Sequence, residues 1–367
     1  MVENLYVHFP FCRRKCRYCA LYSRVGTSSA SRATYVRQLA EAIAAWSPGP
    51  LKTVYFGGGS PALCELDPLL SALAPCLSDE TEFTVEVHPL DISEARLAAW
   101  RAGGVNRLSM GVQSLDDATL AAMGRGYTAD EAAGAFRRAK RVFDNVGIDL
   151  IVGYPGDPCR GWTRLADWGL RHCSVYSLQN ERGLSGVPDD DWTLDRVREV
   201  AASLRAQGLE RYEISNYAVP GAECRHNLAV WRGEDYLGLG AGAFGRLGLW
   251  RTRHWGACPQ FAGACPQGLP GSVPSSPVPS SPGSVPRGMG AGWPAPEVEV
   301  VTAEQDVLER RIFRLRTREG LDATGFPQWG QTLQAACENG LLVRENAIYR
   351  LTERGTEVCD AILAELV

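Results

Sequence analysis

The sequence lacks the features that place a protein across a membrane, outside the cell or on nucleic acid. The 367-residue chain contains no run of about eighteen apolar residues, so we expect no membrane-spanning helix. Its N-terminus has no basic, apolar and small-residue signal pattern, which predicts a reducing, cytoplasmic setting for the twelve cysteines. A formal net charge of −4 argues against a general nucleic-acid or anionic-membrane binder. These absences leave peripheral membrane contact open.

Three clustered cysteines are the strongest functional signal in the chain. Cys12, Cys16 and Cys19 stand in the stretch CRRKCRYC, directly after a strand-like run at 5–9. Thiolates at gaps of four and three residues can surround one corner of an iron–sulfur cube, and three ligands for four irons leave one iron open. A structural zinc site would need a fourth Cys or His close by, and His8 is the nearest candidate. Three thiols without any metal are the remaining alternative.

Short strand-like runs alternate with helix-like runs through the first two thirds of the chain. The predicted strands are 5–9, 53–56, 82–87, 106–110, 147–152 and 174–178. Repeated βα units predict parallel strands with helices outside, because parallel neighbours need a crossover connection. Six units predict an α/β fold with an incomplete (β/α) barrel. In such folds, sites are built at the carboxyl ends of the strands.

Composition divides the chain into four predicted parts. They are a barrel at 1–225, a Gly-rich extension of the barrel at 226–265, a flexible linker or insertion at 266–296, and a small α+β domain at 297–367. The linker holds nine Pro, six Ser and six Gly in 31 residues, too few apolar side chains for a core.

The last part reads as helices with a small hairpin, which resembles a winged helix. Residues 303–367 carry eight arginines and no lysine against eleven acidic residues, a charge of −3. That sign is wrong for phosphate contacts, so we expect a packing domain and no nucleic-acid partner.

Polar residues follow several of the predicted strands. The segment 57–61 (GGGSP) follows the second strand and lets backbone amides approach a ligand, Glu86 ends the third, Gln113 follows the fourth, and Asp149 lies in the fifth. One polar group for each strand end predicts a lined pocket. The alternative is structural, since either carboxylate could pair with an arginine on a neighbouring segment.

Several motifs resemble a known family. The cysteine spacing, with Tyr18 before the last thiol, is similar to that of the radical S-adenosylmethionine (SAM) superfamily. The segments 55–61 (YFGGGSP), 104–114 (GVNRLSMGVQS) and 149–155 (DLIVGYP) resemble the oxygen-independent coproporphyrinogen oxidase family within it. The resemblance runs nearly end to end and fails mainly in the Pro/Ser/Gly-rich stretch.

The resemblance implies the cofactors. A four-iron four-sulfur cluster would be held by the three cysteines, and SAM would chelate the open iron through its amino and carboxylate groups. One electron from the cluster would cleave the sulfonium into methionine and a deoxyadenosyl radical, so a one-electron donor is an implied partner. The residues that would line SAM are Tyr6, Tyr18, Gly58, Gly59, Ser60, Glu86, Gln113, Arg125 and Asp149.

Two functions are open within this family, and Leu21 distinguishes them. Decarboxylating oxidases carry another cysteine two residues after the triad, where this chain has Leu21. The haem chaperone branch lacks that cysteine and carries a His-Asn-x-x-Tyr-Trp motif, which resembles 226–231 (HNLAVW). The resemblance therefore favours a haem chaperone without decarboxylase activity that passes haem to an acceptor protein. The alternative is a radical enzyme acting on coproporphyrinogen III or another tetrapyrrole.

The candidate haem residues are His226, Asn227 and Trp231. The imidazole of His226 could serve haem iron as an axial ligand, and the Trp231 ring could stack on a porphyrin. The alternative is a histidine bonded inside a turn. The motif is not complete, because Val230 stands in place of Tyr, and Phe244 occupies a position that is often His.

Overall fold

A nine-stranded sheet forms the centre of the computed structural model, which describes residues 2–46, 48–254 and 296–367. Six strands lie parallel in chain order, and their predicted bounds are confirmed to within three residues. They are β1 (Asn4–Phe9), β2 (Thr53–Gly58), β3 (Glu82–Val87), β4 (Arg107–Gln113), β5 (Asn145–Val152) and β6 (His172–Ser177). The predicted α/β class is confirmed.

Helices connect these strands and cover one face of the sheet. They are α1 (Ser29–Trp46), α2 (Asp67–Leu73), α3 (Glu94–Ala102), α4 (Asp117–Met123), α5 (Ala129–Lys140) and α6 (Asp190–Arg205). In α5, the side chains of Thr128 and Glu131 form a reciprocal capping box at the N-terminus. Ala132, Ala135 and Phe136 of that helix are buried against the sheet.

The two faces of the parallel strands differ in chemistry. Alternate residues such as Val7, Phe56 and Val85 belong to the hydrophobic core beneath the helices. The opposite, inner face includes many polar residues, namely Asn4, Tyr6, His8, Thr53, Tyr55, Glu82, Thr84, Glu86, Arg107, Ser109, Asp149, His172 and Ser174. Complete (β/α) barrels fill their interior with bulky branched apolar side chains. The polar interior of this barrel indicates a site.

The barrel does not close. The strand order is β7-β8-β6-β5-β4-β3-β2-β1-β9, with β9 (Leu237–Leu239) parallel to β1 at one edge. At the other edge, β8 (Asn216–Ala218) and β7 (Glu210–Arg211) run antiparallel. The short helix α7 (Arg225–Trp231) lies at the N-terminal end of the parallel strands, because Glu82 of β3 accepts hydrogen bonds from its first amides. We call this region the closed end.

In its described residues, the C-terminal region adds two small antiparallel sheets and four α-helices. The sheets contain β10 (Phe244–Leu247), β11 (Trp250–Arg253) and β12 (Glu297–Val300), and then β13 (Leu321–Asp322), β14 (Leu342–Glu345) and β15 (Ile348–Leu351). The helices are α8 (Ala303–Arg314), α9 (Gly330–Glu338), α10 (Glu353–Glu357) and α11 (Cys359–Ala364). The predicted hairpin is present as β14 and β15. The four-part division stays a prediction, and residues 255–295, with nearly all of the expected linker, lie outside the described residues.

Within this region, ion pairs connect the strands β10 and β11 to the helix α8. Arg246 of β10 contacts Asp306 of α8, and Arg251 of β11 contacts Glu309 at 2.5 Å. A separate hydrophobic cluster, including Leu315 and Trp329, lies within the C-terminal region. Across the described ranges, no helix is long and apolar enough to cross a membrane.

Candidate functional site

The three cysteines lie in one loop at the carboxyl end of β1, which we call the mouth of the barrel. Backbone hydrogen bonds fix the loop at both ends, from Cys12 N to Arg24 O at 2.9 Å and from Arg24 N to Pro10 O at 2.6 Å. A tighter turn follows, in which Cys19 N donates to Cys16 O at 3.3 Å. All three thiols are free and half-buried. The loop thus presents three accessible sulfur ligands.

The thiols do not converge on a single point. No three His, Cys, Asp or Glu side chains in the part of the chain that the structure describes lie close enough to share one metal ion. A zinc ion would need such convergence, whereas the thiolates of an iron–sulfur cube bind three different irons. The donor set of three thiols on one loop, with no fourth ligand, fits the cube.

The glycine segment packs directly beneath the cysteine loop. Gly58 has φ +104°, and a Cβ there would lie 2.6 Å from the His8 ring. A Cβ at Gly59 would lie 2.5 Å from the Phe11 carbonyl oxygen and 3.0 Å from Cys12 Sγ. Only glycine allows this approach.

The amides of this segment are already used within the protein. Gly58 N donates to Glu86 Oε2 at 3.0 Å, Gly59 N to Phe9 O at 2.7 Å, and Ser60 N to Phe11 O at 2.7 Å. The expectation that these amides face a ligand is therefore wrong. The reason is close packing, because the carbonyls of Phe9 and Phe11 take two of the amides and the Glu86 carboxylate takes the third. Carbonyl groups are therefore what the segment can offer to a ligand.

Two acidic side chains face the interior from neighbouring parts of the sheet. Tyr55 donates to Glu86 Oε1 at 2.9 Å, and Ser109 donates to Asp149 at 3.1 Å. Withdrawal from water raises the pKa of Glu86 to about 7, and the negative charge of Asp149 adds to the increase. Burial also raises the pKa of Asp149. Neither carboxylate forms an ion pair among the described residues, so both can respond to a cationic ligand.

Gln113 is held in an unusual backbone conformation. Its φ is +73°, in the left-handed region, at an irregularity where β4 shifts register against β5. The side chain folds over Gly111, because a Cβ there would lie 2.7 Å from Gln113 Nε2. Gly111 pairs with Asp149, which brings Gln113 and Asp149 to adjacent strand ends. A strained polar residue at a strand end is typical of a ligand site.

Arg125 links the cysteine loop to β4. Its guanidinium donates to Cys16 Sγ at 3.3 Å, to Tyr18 Oη at 3.4 Å and to Gly111 O at 2.7 Å. A fourth bond runs from Nε to Tyr127 Oη at 2.8 Å. The side chain is only 8% exposed, and no described carboxylate forms an ion pair with it. A buried cation beside a thiol suits an anionic cluster.

Three further residues, His8, Asp91 and Tyr127, support the mouth in roles that no sequence pattern indicated. Tyr6 donates to His8 Nδ1 at 3.0 Å, since Nε2 of that ring donates to Tyr22 O at 3.0 Å. Ser60 donates to Asp91 at 2.7 Å, and Asp91 pairs with Arg13 of the cysteine loop at 2.6 Å. Ser60 thus bonds to a loop anchor. His8, Asp91 and Tyr127 are the unexpected members.

His226 lies at the closed end, away from the cysteine loop. The Thr53 hydroxyl donates its one hydrogen to Asn4 Oδ1, so it accepts from His226 Nδ1 at 2.8 Å. The ring lies 5.2 Å from the Tyr55 ring centroid and 6.2 Å from that of Tyr6. Burial lowers the pKa of His226 to about 3. The neutral imidazole therefore keeps Nε2 as its only nitrogen for a ligand.

The structure does not bring Trp231 beside His226. Trp231 is five residues further along α7, which rotates its side chain by about 140° around the helix. Its Nε1 donates to Glu213 at 3.0 Å, and its ring packs against Phe313 of α8. The backbone amide of Asn227 approaches the Cys224 sulfur. Burial raises the pKa of that thiol to about 12.

Comparison with known proteins agrees with this geometry. The Radical SAM superfamily profile matches residues 6–168, which hold the cysteine loop and the strand ends. The solved structure titled "Coproporphyrinogen III oxidase (HemN) from Escherichia coli is a Radical SAM enzyme" matches with a TM-score of 0.79 at 21% identity, covering 99% of this chain and 89% of that one. Fold and site together define a protein of the radical SAM class.

Curated relatives identify the family. "Heme chaperone HemW" of Bacillus subtilis is 29% identical over 403 residues, covering 100% of both chains. The protein with the same name from Mycobacterium tuberculosis (strain H37Rv) is 30% identical over 394 residues, covering 99% of this chain and 94% of the relative. The chain belongs to the HemN/HemW family of radical SAM proteins.

Proposed function

We propose that this chain is a cytoplasmic haem chaperone that binds a four-iron four-sulfur cluster, SAM and haem, and passes haem to an acceptor protein. The observation that carries the proposal is the loop of three free thiols facing Arg125, Glu86 and Asp149 at one end of a polar barrel. The relatives named heme chaperone support the haem function. Leu21, in place of a fourth cysteine, argues against decarboxylation.

Cys12, Cys16 and Cys19 would hold the cluster, whose bound form supplies the electron that cleaves the SAM sulfonium. Arg125 would balance the negative charge of the thiolates through its contact with Cys16. The proposed SAM-lining set remains the one given by the resemblance, with Tyr6 and Ser60 acting through His8 and Asp91.

The acidic pair would recognise the amino acid and ribose parts of SAM. Glu86 is fixed by donors from Tyr55 and Gly58, so its orientation is set before any ligand binds. Because its pKa is raised to about 7, an ammonium group nearby would favour the ionised form and gain from that change. Asp149 and Gln113 would complete the polar lining at adjacent strand ends.

His226 would bind haem iron only after a local rearrangement. Its ring is 4% exposed, and it lies against Tyr6, Tyr55 and Thr53. Movement of α7 away from β2 would uncover Nε2. In this proposal, Asn227 and Trp231 shape the haem site from other faces of the same short helix.

Titrations of anaerobically reconstituted protein test the two branches. We expect haemin to give a shifted Soret band that is lost in His226→Gln and kept in His172→Gln, a buried histidine outside the motif. We also expect no conversion of coproporphyrinogen III to protoporphyrinogen IX. A Soret shift that is unchanged in His226→Gln would contradict His226 as the haem ligand. Conversion of coproporphyrinogen III would show that the chain is an oxidase.

A further inference from the structure

We propose that the cysteine loop is also the docking surface for an acidic protein that delivers single electrons. The inference rests on the proposed cluster, because the loop then separates that cluster from solvent. The surface consists of four cations, Arg13, Arg14, Lys15 and Arg17, with two exposed apolar residues beside them. We call it the cationic surface.

The charge of the loop is opposite to that of the protein. Residues 12–25 contain five basic residues and no acidic one, in a chain whose net charge is −4. Asp91 neutralises the charge of Arg13 and of no other cation on this surface. Arg14 and Arg17 are exposed, and neither forms an ion pair with any described carboxylate. Their charge is therefore directed to solvent, where it attracts an acidic partner.

The cationic surface is held in place by the barrel. Arg17 N donates to Met123 O at 3.2 Å, and the Arg14 guanidinium lies against Gly126. Lys15 Nζ donates to Ser23 Oγ at 2.7 Å across the loop. Because the backbone is anchored at these points, the loop keeps the four cations together at the mouth.

An apolar centre accompanies the cations. Leu21 is 56% exposed and Val25 is 50% exposed, both on the same loop. Electron-transfer complexes bury little surface, and a small apolar contact with a charged rim provides enough area for a transient complex. Leu21, which replaces the fourth cysteine of decarboxylating oxidases, would gain a role as the apolar contact.

The position favours an electron donor over other acidic partners. The thiols belong to the same loop as the cations, with at most one residue between each cation and the nearest cysteine. Electron tunnelling falls steeply with distance, so a donor must approach the cluster closely. A protein that binds the cationic surface brings its own redox group next to the cluster ligands.

Binding of flavodoxin, a small acidic flavin protein, tests the proposal. In the full-length chain, we expect the double variant R14E/R17E to weaken flavodoxin binding at least about tenfold at low salt. The difference should shrink between about 20 mM and about 500 mM NaCl, because salt screens exposed charges. Stopped-flow reduction of the reconstituted cluster by flavodoxin hydroquinone should slow in parallel. Reduction by the methyl viologen radical, a small cation, should not slow.

A matched charge reversal controls for net charge. Arg101 of α3 and Arg137 of α5 are exposed near the C-terminal ends of their helices, toward the closed end of the barrel. R101E/R137E changes the total charge equally, and we expect it to leave flavodoxin binding unchanged. Leu21→Gln should weaken binding with little dependence on salt.

Two results would overturn the proposal. The first is equal flavodoxin affinity in R14E/R17E and R101E/R137E. The second concerns phosphatidylcholine vesicles that contain about 30% phosphatidylglycerol. If R14E/R17E alone abolishes binding to these vesicles and leaves flavodoxin affinity unchanged, the surface binds a membrane and not an electron donor. Iron content is measured separately, so failure to assemble a cluster would count against the proposed function and not against this surface.

Discussion

The two ends of the barrel interior contain similar polar side chains in different states. At the closed end, Thr53, Glu82 and His226 are buried and bonded to partners within the chain. At the mouth, Glu86 and Asp149 are only half-buried, and the three cysteines have no partner that closes a metal site. The same fold therefore builds one end as a packed junction and the other as a site prepared for a ligand.

This difference separates the two parts of the proposed function. In the proposed function, the cluster and SAM would bind at the mouth without a change of the backbone, since the loop and the strand ends are already in place. Haem at His226 would require the contacts of α7 with β2 and β3 to break first. Haem binding should consequently be slower and more sensitive to stability than binding of SAM.

Removing one of the three loop thiols should abolish binding of the cluster at the mouth. Cys16→Ala leaves two ligands for a four-iron cluster, so we expect the iron content after reconstitution to fall to near zero. The control is Cys337→Ala in α9, which removes a half-buried thiol from the C-terminal region. Iron content and the visible absorption of the cluster measure the effect. A cluster that survives Cys16→Ala would show that other residues hold it.

Adding one methyl group at Gly58 should damage the mouth. The new Cβ of Gly58→Ala would meet the His8 ring at 2.6 Å and occupy a left-handed backbone position, so we expect SAM affinity to fall at least about tenfold. Gly208→Ala has a similar φ of +81° with open space around the Cβ, and it reports the backbone strain alone. Isothermal titration measures the affinities. Equal effects of the two substitutions would mean that contact with His8 is unimportant.

The buried histidine at the closed end should make the protein sensitive to acid. The unfolded imidazole gains a proton below about pH 6.5, whereas His226 in the fold stays neutral to about pH 3, so stability falls as the pH decreases through this window. Between pH 7 and pH 5, His226→Gln should lose about 2 kcal/mol less unfolding free energy than the unmodified chain. Denaturant unfolding at both pH values measures this. Identical losses would contradict the buried, neutral state.

Replacing Arg125 should change the reduction potential of the cluster, an effect smaller than the loss of the cluster itself. Arg125→Gln removes a positive charge and a donor 3.3 Å from Cys16 Sγ, so the reduced, more negative cluster loses stabilisation. We expect a more negative midpoint potential, on the order of tens of millivolts. Potentiometric titration followed by electron paramagnetic resonance measures the shift, with Arg141→Gln on the outer surface as control. An unchanged midpoint potential in Arg125→Gln would show that the contact of Arg125 with Cys16 does not stabilise the reduced cluster.

The parts that the sequence predicted depend on local patterns. Short runs rich in β-branched and aromatic residues located all six parallel strands, and short-range spacing located the cysteine loop. The glycine run was predicted to let its amides approach a ligand, yet two of these amides are bound by the carbonyls of Phe9 and Phe11 and one by Glu86, which no local pattern encodes. Contacts between distant segments, such as Ser60 with Asp91, were invisible for the same reason.

The helix α7 illustrates the same limit at the closed end. Its N-terminus is set by Glu82, which is more than 140 residues earlier in the chain and accepts the amides of Arg225 and His226. The motif at 226–231 suggested a compact ligand site, but helical rotation turns His226 and Trp231 to different faces. Only the three-dimensional arrangement shows that the haem candidate lies under the tyrosines and not at the mouth.

The central claim is that the cysteine loop leaves one iron of the cluster open for SAM. It can be tested by electron–nuclear double resonance of the reduced cluster, with SAM that carries ¹⁷O in its carboxylate. We expect a hyperfine coupling to the label, because the iron without a cysteine ligand would bind that carboxylate. The coupling should persist in His226→Gln, since the closed end takes no part in SAM binding. A reduced cluster that shows no coupling to bound, labelled SAM would contradict the claim that the cysteine loop at the mouth leaves one iron open.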